Sequence, residues 1–279
     1  TRCRKMPTIF TRGAASAKAF GLFGGVILGP GGLWSWGVNS NGQLGLGNIT
    51  SYSSPKQVGA LVTWSKIAGG ERFSLAIKTD GTLWSWGYNL NGQLGLGNAT
   101  AYSSPKQVGA LTTWSNIAAN LNFSLAVKTD GTLWSWGNNN AGQLGLGNVT
   151  VYSSPKQVGA LTTWSTVGAG QDFSLAVKTD GTLWSWGRNG NGQLGLGNTT
   201  NYSSPKQVGA LTTWSKIAAQ LRFSLAVKTD GTLWSWGYNL RGQLGLGNTT
   251  SYSSPKQVGA LTTWSTVGAG STFSLAIKS

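Results

Sequence analysis

The sequence predicts an all-β protein, a β-propeller built from four-stranded antiparallel blades, and two observations support this prediction. A nearly unchanged segment occurs five times, in copies that begin at Leu33, Leu83, Leu133, Leu183 and Leu233. Within each copy, short apolar stretches alternate with turn sequences rich in glycine and asparagine. Four short strands in a repeat of about 50 residues are typical of a propeller blade.

The first two strands of a blade are clearest in the copy that leads from residue 63 to residue 81. Strand A is predicted over 63–70 (TWSKIAGG) and strand B over 73–81 (FSLAIKTDG). Strand B alternates between apolar and polar residues and then reaches Asp80-Gly81, a strong hairpin signal. These two strands are therefore expected to pair and to turn directly into the next strand.

The other two strands of the blade are separated by a long connection. Strand C is predicted over 82–87 (TLWSWG), where Trp84 and Trp86 are two residues apart and share one face of the sheet. Strand D is predicted over 106–109 (KQVG), and Pro105 places it at a sheet edge because proline cannot donate a ladder hydrogen bond.

The 15 tryptophans of the chain indicate how the blades pack. Blades of a propeller stack face to face, and large flat side chains fill the wedge between them. The residues predicted to pack between blades are Trp84, Trp86, Trp114, Trp134, Trp136 and Trp164.

The two ends of the repeat region suggest how a ring closes. The chain enters the repeat at strand C, with Leu33, and the last copy stops after strand B, at Lys278. The sequence predicts a propeller domain over 33–279 with five blades, in which the two termini share the closing blade, and a monomer. The alternative is an incomplete part of a seven-bladed ring.

Residues 1–32 differ from the repeats and are interpreted as a lead-in. Residues 1–5 precede Met6, and they could be upstream sequence. Residues 20–32 fit a degenerate strand or a weak signal peptide, and the alignment of Phe23 with Phe73 favours the strand. No segment reaches the roughly 20 apolar residues of a spanning helix.

The formal net charge is +15, and ten of the 21 basic residues are lysines that repeat with the copies. By symmetry they are expected to form two basic rings. Such rings can attract nucleic acid or another anionic polymer nonspecifically, or they can simply keep the surface soluble. The repeated lysines are Lys56, Lys106, Lys156, Lys206, Lys256, Lys78, Lys128, Lys178, Lys228 and Lys278.

The composition argues against catalysis. The chain has no histidine, one cysteine and six acidic residues, which leaves no Ser-His-Asp or Cys-His arrangement and no cluster for a metal. Four of the acids, Asp80, Asp130, Asp180 and Asp230, lie in Asp-Gly turns, where aspartate serves turn geometry. The sequence therefore predicts a non-enzymatic protein without a cofactor or metal.

The positions at which the copies differ have two interpretations, a surface that binds a partner or loops that vary wherever packing permits. Nearly all differences follow strand A or strand C, and these two connections leave an antiparallel blade at the same edge. Arginine and tyrosine are frequent anchors of protein interfaces. The residues predicted to bind a protein partner are Arg72, Tyr88, Asp172, Arg188, Arg222, Tyr238 and Arg241.

The stretch LWSWGYNLNGQLGLGN, followed by SSPKQV and preceded by GGERFSLAIKTDG, resembles the regulator of chromosome condensation repeat family. The resemblance covers residues 33–279 and implies a propeller, commonly of seven blades. Two features depart from the family pattern: five copies are present, and phenylalanine stands where the family usually has histidine. These phenylalanines are Phe73, Phe123, Phe173, Phe223 and Phe273.

Three functions therefore remain open from the sequence. The first is a protein-binding scaffold that uses the variable loops. The second, implied by the family resemblance, is guanine nucleotide exchange on a Ran-type GTPase with chromatin contact. The third is a multivalent glycan-binding propeller, because near-identical repeats would gain from avidity.

Overall fold

The computed structural model describes residues 31–279, and throughout this range the chain forms strands, turns and loops. The expectations for residues 1–5 and for nearly all of the lead-in lie outside the described residues. The described residues form 20 strands, grouped into four four-stranded sheets and two two-stranded sheets, all antiparallel. The predicted all-β propeller architecture is confirmed.

Each four-stranded sheet is a complete blade with its strands in the order A, B, C, D. Blade 1 consists of β3 (Trp64–Gly69), β4 (Phe73–Lys78), β5 (Leu83–Gly87) and β6 (Tyr102–Gln107). Blade 2 consists of β7 (Trp114–Asn120), β8 (Phe123–Lys128), β9 (Leu133–Gly137) and β10 (Tyr152–Gln157). Blade 3 consists of β11 (Trp164–Ala169), β12 (Phe173–Lys178), β13 (Leu183–Gly187) and β14 (Tyr202–Gln207). Blade 4 consists of β15 (Trp214–Gln220), β16 (Phe223–Lys228), β17 (Leu233–Gly237) and β18 (Tyr252–Gln257).

The two remaining sheets are half-blades at the ends of the described chain. The N-terminal half-blade contains strands C and D, β1 (Trp34–Gly37) and β2 (Tyr52–Gln57). The C-terminal half-blade contains strands A and B, β19 (Trp264–Ala269) and β20 (Ser274–Lys278). The strand count thus agrees with five blades.

The closing blade that the two termini were expected to share is not formed, because β1–β2 and β19–β20 are separate sheets. Each complete blade contains the same tryptophan pair from its strands A and C, at an interplanar angle of 63°. The half-blades hold the two members separately, Trp264 in β19 and Trp36 in β1, and within residues 31–279 no ladder joins these sheets.

Strands A, B and C lie where the sequence predicts them, whereas strand D begins earlier than predicted. In blade 1 it covers Tyr102–Gln107 rather than 106–109. Its pairing with strand C shifts between Ser85 and Gly87, and this irregularity accommodates Pro105 within an edge strand. Val108 already lies beyond the strand, although its amide still donates to the carbonyl of Leu83.

The hydrophobic core lies between blades rather than inside them. Between blades 1 and 2, Phe73 and Leu75 of the first blade pack with Trp114 and Trp136 of the second. The same cluster recurs between blades 2 and 3 and between blades 3 and 4. Each complete blade therefore depends on its neighbours for burial of its apolar face.

The second tryptophan of strand C forms a hydrogen bond to the preceding blade. The indole N–H of Trp136 donates to the main-chain carbonyl of Gln93, which belongs to the loop between strands C and D of blade 1, at 2.8 Å. Ser124 donates to the same carbonyl at 2.8 Å. The corresponding bonds of Trp86, Trp186 and Trp236 measure 2.8–2.9 Å.

Candidate functional site

The two connections that vary between copies are adjacent in every complete blade. The backbone amide of Tyr88 donates to the carbonyl of Arg72 at 2.8 Å, and that of Tyr238 donates to Arg222 at 2.9 Å. The amide of Arg188 makes the same bond to Asp172, also at 2.8 Å. The A–B turns and C–D loops therefore form one surface, which we call the variable face.

The loops between strands C and D are held rigidly beneath this face. In blade 1, the fully buried side chain of Asn89 accepts a hydrogen bond from the amide of Leu94 at 2.9 Å. Its Nδ2 donates to the carbonyls of Asn98 and Thr100 at 3.0 and 2.8 Å. The equivalent asparagines of the other loops are equally buried, so the same hydrogen-bonded backbone supports the variable side chains of each loop. These asparagines are Asn39, Asn139, Asn189 and Asn239.

At the centre of the variable face, hydrogen bonds connect side chains and backbone groups of different blades. Nδ2 of Asn120 donates to Oε1 of Gln220 at 2.7 Å and to the carbonyl of Ala169 at 3.0 Å. The amide of Gln171 donates to the carbonyl of Leu221 at 3.2 Å. The A–B turns of blades 2, 3 and 4 are thereby joined to one another.

A half-buried lysine contributes another contact between blades. Lys66 of strand A in blade 1 donates from Nζ to the main-chain carbonyl of Ser115 in blade 2. Burial lowers the pKa of Lys66 from its ordinary value. At the equivalent position blades 2 and 3 have Asn116 and Thr166, whereas blade 4 again has a lysine, Lys216.

The seven predicted partner-binding residues all lie on the variable face, with different electrostatic surroundings. Arg188 is 3.4 Å from the carboxylate of Asp172, and Arg72 is 3.7 Å from that of Glu71. Within residues 31–279, Arg222 and Arg241 are exposed and have no acidic partner. The part of the face around blade 4 is therefore positively charged.

Two exposed leucines on this face were not predicted. Leu90 and Leu240 follow Tyr88 and Tyr238 in the C–D loops of blades 1 and 4, and their exposed fractions are 68% and 62%. In blade 4 an apolar side chain thus stands between Tyr238 and Arg241. The recurrence of the tripeptide Tyr-Asn-Leu in these two copies was the available signal.

On the opposite face, one of the two expected basic rings is mostly buried. Nζ of Lys128 lies 3.8 Å from the ring centre of Trp134 and 5.1 Å from that of Trp114, which is cation–π geometry. Burial lowers the pKa of Lys128, although the nearby Asp130 acts in the opposite direction. The pattern recurs at Lys78, Lys178 and Lys228. The lysines of the other ring, Lys56 and its equivalents on strand D, are exposed.

The turn aspartates of this opposite face are occupied by local hydrogen bonds. Oδ1 of Asp130 accepts from the hydroxyl of Thr132 at 2.7 Å and from its amide at 2.9 Å. These bonds, the hydroxyl first, hold the pKa of Asp130 below its ordinary value. The hydroxyl of Thr132 in turn accepts from the indole N–H of Trp134 at 2.9 Å.

Residues 31–279 contain no group of three or more histidine, cysteine or acidic side chains that could hold a metal ion. Within the same range, no helix has the length and apolarity that crossing a bilayer would require.

The sequence matches the RCC1-like domain over residues 15–276, which is most of the chain. The chain belongs to the RCC1-like domain family. Its solved neighbours include human WBSCR16, with a TM-score of 0.80 and 24% sequence identity over 90% of this chain and 68% of WBSCR16. Comparison with curated protein sequences gives no match.

Two structures of the yeast protein Prp20 are also similar to this RCC1-like chain. Prp20p from Saccharomyces cerevisiae, described with its binding properties to Gsp1p and histones, has a TM-score of 0.77 and 24% identity, with coverage of 88% and 64%. Yeast RCC1 (Prp20) bound to Kap60 has a TM-score of 0.76 and 24% identity, with coverage of 89% and 63%. The chain therefore spans less than two thirds of both Prp20 chains, and the likeness at this identity concerns the fold.

Proposed function

We propose that this protein is a binding scaffold that recognises a partner protein through the variable face. The observation that carries the proposal is a group of side chains on the two connections of blade 4, of which Tyr238 is half-buried and the other three are exposed. Arg222, Tyr238, Leu240 and Arg241 lie there on adjacent connections, one of them held by the buried Asn239. Tyrosine and arginine beside an exposed leucine are the composition of an interface anchor.

The chemistry of the group favours an acidic protein surface as the partner. Two arginines without an acidic partner among the described residues offer bidentate donors to carboxylates. The rest of the blade is occupied structurally: its Trp236 is fully buried, and its Asp230 is bonded to Thr232. Because these side chains have structural roles, the exposed loops are the part of the blade available for recognition.

The test is the affinity for a protein captured by the immobilised chain from extracts of its source and then purified. We expect Arg222→Glu, Arg241→Glu and Tyr238→Ala each to weaken binding at least tenfold, since anchor residues contribute about 2 kcal/mol or more. Lys256→Glu, the same change of charge on the exposed strand D of blade 4, is the matched control. Equal losses in control and test variants would contradict the proposal.

Guanine nucleotide exchange on a Ran-type GTPase is the second candidate, because similar structures include Prp20p, which is described with binding to Gsp1p and histones. Addition of the chain to a GTPase loaded with fluorescent nucleotide would accelerate nucleotide release if this candidate is correct. Binding without acceleration would favour the scaffold. Saturable binding on a glycan array, abolished by free sugar, would instead support the lectin-like alternative.

A further inference from the structure

The variable face carries the same three side chains in two of the complete blades, an arginine of the A–B turn with a tyrosine and a leucine of the C–D loop. We call these sets the blade 1 anchor, Arg72, Tyr88 and Leu90, and the blade 4 anchor, Arg222, Tyr238 and Leu240. At the position of the tyrosine, blades 2 and 3 have Asn138 and Arg188, so they lack the set.

The two anchors have the same geometry. The amide of Tyr88 donates to the carbonyl of Arg72 at 2.8 Å. In blade 4 the amide of Tyr238 makes the same bond to Arg222, at 2.9 Å. In both anchors the tyrosine is half-buried, the arginine is exposed, and the leucine has an exposed fraction of 68% or 62%. Each anchor therefore places an exposed apolar side chain and a guanidinium on adjacent connections.

The exposure of the blade 1 anchor does not depend on an end of the described chain. Trp86 of blade 1 donates to the carbonyl of Gln43 in the preceding half-blade, and Trp136 of blade 2 donates to that of Gln93 in blade 1. Blade 1 thus has a described neighbour on either side, and its leucine is as exposed as that of blade 4.

The two anchors differ in their surrounding charge. Glu71 lies 3.7 Å from Arg72, whereas blade 4 has Leu221 at the equivalent position. Arg241 adds a second guanidinium to blade 4, where blade 1 has Asn91. An exposed ion pair at this distance is weak, so Glu71 reduces the attraction of Arg72 for another carboxylate without preventing it. The blade 1 anchor is therefore expected to bind an acidic partner more weakly than the blade 4 anchor.

We propose that the two anchors are equivalent sites for a protein that presents two copies of one acidic segment with an apolar centre. This inference rests on the proposed function and adds a second site to it. At each site, carboxylates of the segment pair with the guanidinium, and its apolar residue contacts the exposed leucine. Because the anchors lie three blades apart on one face, a partner with both copies gains from simultaneous binding.

The first measurement counts the sites. The probe is the fluorescent peptide Glu-Asp-Leu-Leu-Asp-Glu, titrated against the full chain in a calorimeter. We expect two peptides per chain, one in Arg72→Glu and one in Arg222→Glu, and no binding to the double variant. Lys106→Glu, the same change of charge on the exposed strand D of blade 1, is expected to leave both sites unchanged. The peptide Lys-Lys-Leu-Leu-Lys-Lys is expected not to bind.

A gain of affinity tests the blade 1 anchor independently of any loss of folding. The amides of Asn91 and Arg241 each donate to the glutamine side chain of their own loop at 3.0 Å, so the two positions have the same backbone environment. Asn91→Arg therefore gives blade 1 the second guanidinium of blade 4. In the Arg222→Glu background we expect it to strengthen peptide binding about threefold, the effect of one added exposed ion pair.

A tandem probe, two copies of the acidic peptide joined by a flexible linker of about 20, 40 or 80 residues, tests the valency. With the best linker we expect binding to the unchanged chain about tenfold tighter or more than that of the single peptide. We expect no such gain with Arg72→Glu or with Arg222→Glu, because each retains one anchor.

A single site, lost in Arg222→Glu and retained in Arg72→Glu, would overturn this inference and leave the proposed function standing. Peptide binding that persists in the double variant, or a tandem probe that gains nothing, would overturn it as well. An acidic peptide that does not bind would also overturn it, whereas the proposed function is decided by its own variants with the captured protein.

Discussion

Asn120 and Gln220 are 100 residues apart in the chain, yet Nδ2 of Asn120 donates a 2.7 Å hydrogen bond to Oε1 of Gln220. Both side chains are buried, with exposed fractions of 4% and 0%. Blades 1 and 3 have Gly70 and Gly170 at the equivalent position. The bond therefore joins blades 2 and 4 across the turn of blade 3 and fixes the centre of the variable face.

This bond is expected to contribute to stability as a coupled pair. Asn120→Ala removes two hydrogen bonds, those from Nδ2 to Oε1 of Gln220 and to the carbonyl of Ala169, and we expect this to cost about 1–3 kcal/mol of unfolding free energy. Gln220→Ala should have a comparable effect, and the double variant should cost less than the sum, with a coupling of about 0.5–3 kcal/mol. Urea unfolding of the four proteins measures the cycle. Strict additivity would mean that the two amides do not interact.

The contribution of the second tryptophan of strand C to the unfolding free energy is expected to increase with its burial. Trp136→Ala removes a fully buried ring and its bond to Gln93, so we expect a loss of about 3–5 kcal/mol. Trp36→Ala is the control at the same position of a half-blade, and we expect a loss below about 1 kcal/mol there. Both are measured by denaturant unfolding at low protein concentration. Similar losses would contradict the assignment of the core to the blade junctions.

Gly95, which faces Trp136, and its equivalent Gly245, which faces no tryptophan among the described residues, give a second matched pair. Gly95 and Gly245 have φ angles of +74° and +68°, so an alanine at either position costs about 1–2 kcal/mol in backbone strain. At Gly95 the new Cβ also collides with Trp136, which adds about 1–3 kcal/mol. We therefore expect Gly95→Ala to be the more destabilising variant in thermal unfolding. The reverse order would contradict the close contact between Gly95 and Trp136.

The turn aspartates predict a pH dependence whose sign follows from their pKa values. The folded pKa of Asp130 is held below the ordinary value of 3.8, chiefly by the Thr132 hydroxyl. A depressed folded pKa stabilises the native state above the unfolded value, and that contribution is lost as the pH falls through the folded pKa.

Carboxyl titration by NMR tests this cause directly. In Thr132→Val we expect the pKa of Asp130 to rise towards 3.8, since the hydroxyl bond is removed. Asp80 keeps its own bond to Thr82 and serves as the internal control. A pKa of Asp130 that does not change in this variant would assign the shift to another cause.

Much of the blade could be predicted from the sequence because local signals determine it. The alternating pattern of Phe73–Lys78 and the following Asp80-Gly81 turn are sufficient for strands B and C. The sequence predicts strand D four residues too late, because Pro105 indicates a position before the strand rather than within it. The irregular pairing opposite Gly87 admits proline within it, and that depends on the partner strand rather than on local sequence.

The site could be predicted only in outline. Differences among the copies identified the variable face, because connections that leave one sheet edge must lie together. The bond between Asn120 and Gln220 was not predictable, since it joins two different repeats. The burial of Lys128 was not predictable either, because a lysine that ends a strand ordinarily indicates solvent exposure, and only the tertiary position of Trp134 encloses it.

The central claim is that recognition takes place on the variable face, and site-specific photo-cross-linking tests it most directly. A photoreactive residue replaces Leu240 on that face in one protein and Leu261, which is 50% exposed on the opposite face, in another. Our account predicts cross-linking to a discrete partner protein from position 240 and none from position 261. Cross-linking of the same partner from position 261, with none from position 240, would contradict it.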